Sequence, residues 1–255
     1  MDGSMLSELL VDKSLVTAFL LGGAITWISH WLSKNLTRGY VHGSAIAIAI
    51  GLGLAYLGGV YTGGSKGLAD VAIFGGVAFL GGSMLRDIAI IATAYGADLT
   101  AIKKAGRVGA TSVVIGVVLS FTVGAAVAVA FGYRDATAIT TIGAGAATYI
   151  VGPVTGTALG ASSEVIALSI GAGLIKSILV MICTPLVAKR IGLNNPQSAM
   201  IYGGLMGTTS GVAGGLAATD PKLVPYGAMT ATFYTGVGCL LAPSLLFLIV
   251  RTVIG

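Results

Sequence analysis

The sequence predicts an all-α integral membrane protein: about six transmembrane helices plus two re-entrant, Gly/Thr-rich hairpins in an inverted-topology repeat. Three observations predict it. Hydrophobic residues make up 55% of the 255-residue chain and charged residues only 9%, against about a quarter charged in a soluble domain. Apolar runs of about twenty residues, the length of a bilayer-spanning helix, recur along the whole chain. A glycine-rich motif occurs twice in the C-terminal half, each time ahead of a polar helix start and a long apolar run with a late proline.

Six runs are candidate spans: 14–32, 43–62, 71–95, 108–131, 165–188 and 223–250. Asp2, Glu8 and Asp12 precede the first, unlike the basic start of a cleaved leader, so this run is expected to remain as a span. Trp27 and Trp31, with His30, Lys34 and Arg38 just beyond, read as an aromatic and basic anchor at the membrane interface. Neither His30 nor His42 has a partner at ligand spacing. Cys183 and Cys239 lie in apolar runs without a Cys-x-x-Cys pattern and are expected to pack, not to bind metal or pair. Arg86 and Asp87 interrupt the third run. Adjacent residues do not share a helix face, so either they line a polar path, with Arg86 a path residue, or the span ends at Leu85 and they sit at an interface.

Two further stretches, 136–161 and 197–219, decide the architecture. If both enter and leave on the same side, Lys34, Arg38, Lys103, Lys104, Arg107, Lys189, Arg190 and Lys222 all fall inside, as the positive-inside rule requires. Only Lys13, Lys66, Arg134 and Arg251 then fall outside, with Arg86 and Lys176 in the membrane. The net charge of +5 is thus spread as topology signals and implies no nucleic-acid partner.

The spacing Gly152-xxx-Gly156-xxx-Gly160 recurs as Gly207-xxx-Gly211-xxx-Gly215. Each motif is followed by a helix-start signal, Ser162 to Glu164 or Asp220 to Lys222, and later by Pro185 or Pro243. Upstream, Ala138, Gly143 and Thr148 can be laid over Ala199, Gly204 and Thr209. A hairpin plus one span crosses the bilayer once, so consecutive copies are inverted, as in transporters that build a midplane site from broken helices. The chain therefore divides into N-terminal helices, 1–132, expected as scaffold and partner contact, and a core, 133–255, with copies 133–192 and 195–255.

Small residues four apart serve close helix packing in membranes, and that reading covers both glycine motifs. The alternative draws on the hydroxyls around them: Thr155, Thr157, Ser162 and Ser163 in one copy, Thr208, Thr209 and Ser210 in the other. Irregular backbone at membrane depth survives only where it is buried or lines a cavity, and helix starts favour anions. The substrate-binding candidates are therefore Thr155, Gly156, Thr157, Ser162, Ser163, Thr208, Thr209, Ser210 and Gly211, together with Lys176. Lys176 lies mid-run, roughly 18 Å from either end at 1.5 Å per residue. Intramembrane charges mark substrate or ion paths; a structural ion pair with Asp87 or Glu164 is the competing reading. Asp220 before Pro221 reads as a helix cap, and with Thr219 it also offers hard oxygen ligands for a sodium ion. No catalytic signature appears, so no enzyme activity and no cofactor are expected. "GAGAAT" at Gly143 to Thr148 only grazes a dinucleotide pattern.

The stretches "YTGGSKGLADVAIFGGVAFLGGSMLRD", "GPVTGTALGASSE" and "GTTSGVAGGLAATDPKLVPYGA" resemble the larger subunit of the bacterial malonate:sodium symporter, over the whole chain. The resemblance implies a multi-pass protein of the bacterial inner membrane that works with a smaller membrane subunit and imports malonate with sodium as coupling ion. The paired hairpins are similar to those of glutamate:sodium and 2-hydroxycarboxylate transporters, which implies an elevator-like motion and a higher oligomer. On this reading a dicarboxylate dianion binds where the hairpin tips meet. Two rivals stand beside it: the sodium-translocating membrane subunit of a decarboxylase pump, and a holin-like or murein-hydrolase-exporter membrane protein.

Overall fold

The computed structural model describes residues 3–38, 41, 43–64, 67–77 and 99–254. These residues are predominantly helical, with no strand among them, as expected where backbone must satisfy its own hydrogen bonds within a bilayer. Among the described residues, five stretches are long and apolar enough to cross a membrane: Ser14–Asn35, Ile46–Phe74, Gly106–Ala130, Ser163–Val187 and Pro221–Ile254. The expected span 71–95 falls largely outside the described residues, and so do Arg86, Asp87, His42 and Lys66. Its described start holds a short 3-10 turn, Ala72–Phe74, just after another at Gly67–Asp70.

The chain forms two compact units, Met1–Ala92 and Thr93–Gly255. In the first, α1 (Gly3–Asp12), α2 (Ser14–Asn35) and α3 (Gly43–Thr62) follow in order. The Thr17 hydroxyl donates to the Leu10 carbonyl at 3.0 Å, tying α2 back to α1 across the interruption at Lys13. Trp27 and Trp31, on the outer surface of α2, are 71% and 56% exposed, in keeping with an interfacial anchor. The His30 ring lies against Gly43, with Nδ1 2.9 Å from the Thr26 carbonyl oxygen.

The second unit contains α4 (Leu99–Ala130), α5 (Ala136–Ala147), α6 (Val151–Leu159), α7 (Ser163–Val187), α8 (Pro196–Met206), α9 (Thr209–Ala217) and α10 (Val224–Leu241). A π-helical turn, Ala242–Leu246, then leads into α11 (Phe247–Ile254). It thus takes in α4 as well as the repeated segments. The stretches 136–161 and 197–219 are each two short helices joined by a break, not one continuous helix.

Local chemistry explains the breaks. Asp135 caps α5 by accepting the Ala138 N–H at 2.8 Å, and extended Thr148 (φ −158°) ends it. The Thr148 hydroxyl accepts the Ile150 N–H at 3.1 Å and its carbonyl accepts that of Val151 at 3.0 Å, so the chain turns and restarts as α6. Asn195 and Ser198 form a capping box at α8, with Pro196 at its first position. Gly207 ends α8 at φ +72°, a left-handed conformation that glycine adopts without steric penalty. Thr208 then caps α9. Ser162 caps α7, and Glu164 sits in its first turn, where a carboxylate favours the helix dipole.

Contacts at glycines fix the directions of these helices. A side chain at Gly152 would collide with Gly145, and one at Gly156 with Thr141, so α5 and α6 run antiparallel. Gly156 also abuts Ile166, Gly152 abuts Ser169, and Gly173 abuts the backbone of Tyr149. The break at 148–150 therefore rests on the middle of α7. Gly211, Gly214 and Gly215 meet Ser177, Met181 and Thr184 in turn, so α9 runs parallel to α7. Gly203 abuts Gly227, and Gly207 abuts the Tyr234 ring, so α8 runs parallel to α10. Helix α4 bridges the repeated segments: Gly116 meets Gly204 and Leu205, and Gly124 meets Gly143 and Ala146.

These contacts yield a stability contrast. Gly173→Val forces the break off α7 and is expected to cost at least about 1–3 kcal/mol, the usual scale of overpacking. Gly171, two residues earlier and on the opposite side of the same helix, has no atom within 4 Å of its missing Cβ, so Gly171→Ala is expected to stay within about 0.5 kcal/mol. Thermal unfolding in detergent checks the pair; equal midpoints would contradict the packing.

Candidate functional site

Lys176 is near the middle of α7, thirteen residues from Ser163 and eleven from Val187, or roughly 20 and 17 Å along the axis. Its ammonium donates to the Ala147 carbonyl at 2.8 Å, the Ser120 hydroxyl at 2.9 Å and the Tyr234 hydroxyl at 3.3 Å. Its nitrogen also sits 5.1 Å from the Tyr234 ring centroid, within the range of a cation–π contact. An ammonium has three donors, and here all three meet oxygens, none from a carboxylate. The proposed ion pair with Glu164 is absent: Glu164 occupies the first turn of α7, roughly 18 Å away along the helix. The other candidate partner, Asp87, is outside the described residues.

The Ala147 carbonyl belongs to the last residue of α5. Terminal carbonyls of a helix lack intrahelical partners and carry its negative dipole end, so the end of α5 offers partial negative charge for the lysine. The second break reaches the same level of α7 through its neighbour. The hydroxyls of Ser177 and Thr208 are directly hydrogen-bonded, and both residues are buried. Thr208 also accepts the Gly211 N–H at 3.4 Å. Tyr234 is fully buried, donates to the Gly116 carbonyl at 3.2 Å and packs on Gly207. Both breaks, α4 and α10 thus converge on two consecutive residues of α7.

The expected site residues divide by position. Lys176, Thr208 and Gly211 belong to this convergence. Thr209 and Ser210 occupy the first turn of α9, and the Ser210 hydroxyl is a buried oxygen without a hydrogen-bond partner. Gly156 packs against Thr141 and Ile166, and Gly152 against Gly145, so the spacing of four in α6 serves close packing. Thr155 is fully buried and its hydroxyl has no partner, while Thr157 is exposed. Ser162 and Ser163 are exposed at the start of α7, far from Lys176 along the helix. Thr219 and Asp220 lie beyond the far end of α9, at least 13 Å from Thr208 along its axis. The Thr219 hydroxyl donates to Gly215 at 2.8 Å, and Asp220 accepts the Lys222 N–H at 3.0 Å. Among the described residues no group of three or more His, Cys, Asp or Glu side chains could hold a metal ion.

Ser120, Ala147, Ser177 and Tyr234 are not singled out by the sequence, and Thr148 is marked there only as a repeat position, not as a site residue. Ser120 and Tyr234 had a signal, being polar side chains in the middle of apolar runs. Three grooves in the second unit, of about 340, 560 and 350 Å³, are lined almost wholly by apolar groups, and no charged residue lines any of them.

The Ser177–Thr208 pair gives a second test. Ser177→Ala or Thr208→Ala leaves one buried hydroxyl without its partner, expected to cost about 1–3 kcal/mol. The double variant is expected to cost less than the sum of the two, by about 0.5–1.5 kcal/mol. Unfolding midpoints of the four proteins measure this; strict additivity would contradict the contact.

No curated protein and no solved structure matches the chain. A family model does, over residues 6–254, described as the malonate/sodium symporter MadM subunit. Lysine at the centre of an apolar bundle, met by two interrupted helix pairs, is the arrangement expected of a transporter core, and the extent of the match places the chain in the MadM family of malonate/sodium symporter subunits.

Proposed function

We propose that the chain forms the substrate-handling core of the symporter, importing malonate with sodium across the bacterial inner membrane together with a smaller membrane subunit. The observation that carries this reading is the convergence of both helix breaks on Lys176 and Ser177. On this reading α5–α6 and α8–α9 are re-entrant hairpins. Gly227 of α10 abuts Leu216 of α9, whose neighbour Gly215 lies against Thr184 of α7, while Tyr234 meets Lys176; α10 therefore runs antiparallel to α7, which supports inversion of the two copies. Each break supplies helix ends of both polarities: Lys176 is held by the carbonyl end of α5, and the start of α9 offers N–H groups suited to a carboxylate.

Malonate binds by exchanging one oxygen neighbour of Lys176 for a carboxylate oxygen, which converts a neutral contact into a charge-assisted one. Thr208, Gly211 and the first turn of α9 complete its surroundings. Sodium takes hard oxygen ligands, for which Thr219 and Asp220 remain the candidates, at the end of α9 remote from the anion. Displacement of the repeat pair, in the manner of an elevator, would expose the site to each side in turn.

Reconstitution of both subunits in liposomes tests the reading through uptake of labelled malonate. An inward sodium gradient is expected to drive uptake, and Lys176→Gln is expected to weaken apparent malonate affinity at least about tenfold, the scale of one lost hydrogen bond to a charged group. Uptake indifferent to sodium, or unaltered affinity in Lys176→Gln, contradicts it.

A further inference from the structure

The two copies can be brought into register by their packing, independently of their glycine motifs. In the first copy, Gly145 of α5 meets the backbone of α7 at Ser169; in the second, Gly203 of α8 meets the backbone of α10 at Gly227. Two helical turns beyond Ser169 lies Lys176, and two turns beyond Gly227 lies Tyr234. Continuing equally far along each helix reaches Pro185 and Pro243. Lys176 and Tyr234 are therefore positional counterparts. These counterparts also touch, with the ammonium 3.3 Å from the phenol oxygen and 5.1 Å from the ring centroid.

The Tyr234 contact is the longest of the three that Lys176 makes. The phenol proton is directed at the Gly116 carbonyl, 3.2 Å away, and a hydroxyl rotor can re-aim it. The ring stacks on Gly207, the residue that ends α8. Tyr234 thus connects the lysine of one copy with the break of the other, and it carries a neutral donor where its counterpart carries a charged one.

We propose that Tyr234 is a substrate-contacting residue that determines specificity for a carboxylate. The anion inserts between the Lys176 ammonium and the Tyr234 hydroxyl and accepts a hydrogen bond from each, one from each copy of the repeat. Lys176 supplies the charge. Tyr234 supplies a second, directional donor without adding a second positive charge that would hold the anion too tightly to release. This inference rests on the malonate-transport reading above.

The test uses the reconstituted symporter with both subunits and labelled malonate. Tyr234→Phe retains the ring and removes the donor; its KM is expected to rise about tenfold, with kcat within about twofold of the parent. A purely structural role for the hydroxyl would instead lower kcat and the unfolding midpoint together. A swap exploits the register: Lys176→Tyr and Tyr234→Lys are each expected to lose uptake, and the double variant to recover it above either single change. An unchanged KM in Tyr234→Phe, or a swap no better than its parts, overturns the inference while leaving sodium-driven uptake by the parent intact. Failure of the parent to take up malonate overturns both readings.

Discussion

An ammonium buried in the middle of an apolar helix is the constraint around which the second unit is organised. Placing a lysine there costs roughly 3 kcal/mol on the insertion scale even when the surroundings adjust, and its donors must find acceptors. No carboxylate does this among its described contacts. Instead, three elements each bring one oxygen: α4 through Ser120, the end of α5 through Ala147, and α10 through Tyr234. A carboxylate partner would neutralise the charge permanently. A carbonyl, a hydroxyl and a phenol satisfy its hydrogen bonds while leaving its charge available to an arriving anion.

The same requirement accounts for the interrupted helices. A continuous helix passing Lys176 would have its carbonyls engaged within itself, whereas ending α5 at Ala147 leaves a carbonyl that can turn to the lysine. Close approach then demands small residues, and Gly145, Gly152 and Gly173 let the backbones of α5, α6 and α7 come together around the break. In the second copy Gly207 and Gly211 serve the same end against Tyr234 and Ser177. Most glycines of the second unit stand at close helix contacts, and their functional effect is indirect: they let two chain breaks be stacked on one helix.

Much of this arrangement was legible from residues alone, but not its register. Lys176 stood out because a charge within an apolar run has few structural explanations. The two composite stretches stood out because Gly and Thr replace Leu and Val there. The position of the first break did not. The glycine motif drew attention to Gly152 to Gly160, while the break lies at 148–150, set by the extended backbone of Thr148. Glycine spacing reports helix contact and break position alike, and sequence cannot separate them. Tyr234 and Ser120 were hidden because a single hydroxyl in an apolar helix commonly bonds its own backbone, as Thr141 does to Thr137 at 2.7 Å. Only packing, by aligning Gly145 and Ser169 with Gly203 and Gly227, shows that Tyr234 answers Lys176.

The central claim is that both interrupted stretches dip into the bilayer and return to the side they entered, bringing their breaks to Lys176 and Ser177 from opposite faces. Side-specific labelling of single cysteines tests it most directly, in a protein with Cys183 and Cys239 replaced by alanine and an impermeant maleimide applied to sealed vesicles of known orientation. Cysteines at Asp135 and Ala161 are expected to label from one face, and those at Asn195 and Ala218 from the other. Labelling of Asp135 and Ala161 from opposite faces would make the first stretch a full crossing and contradict the account.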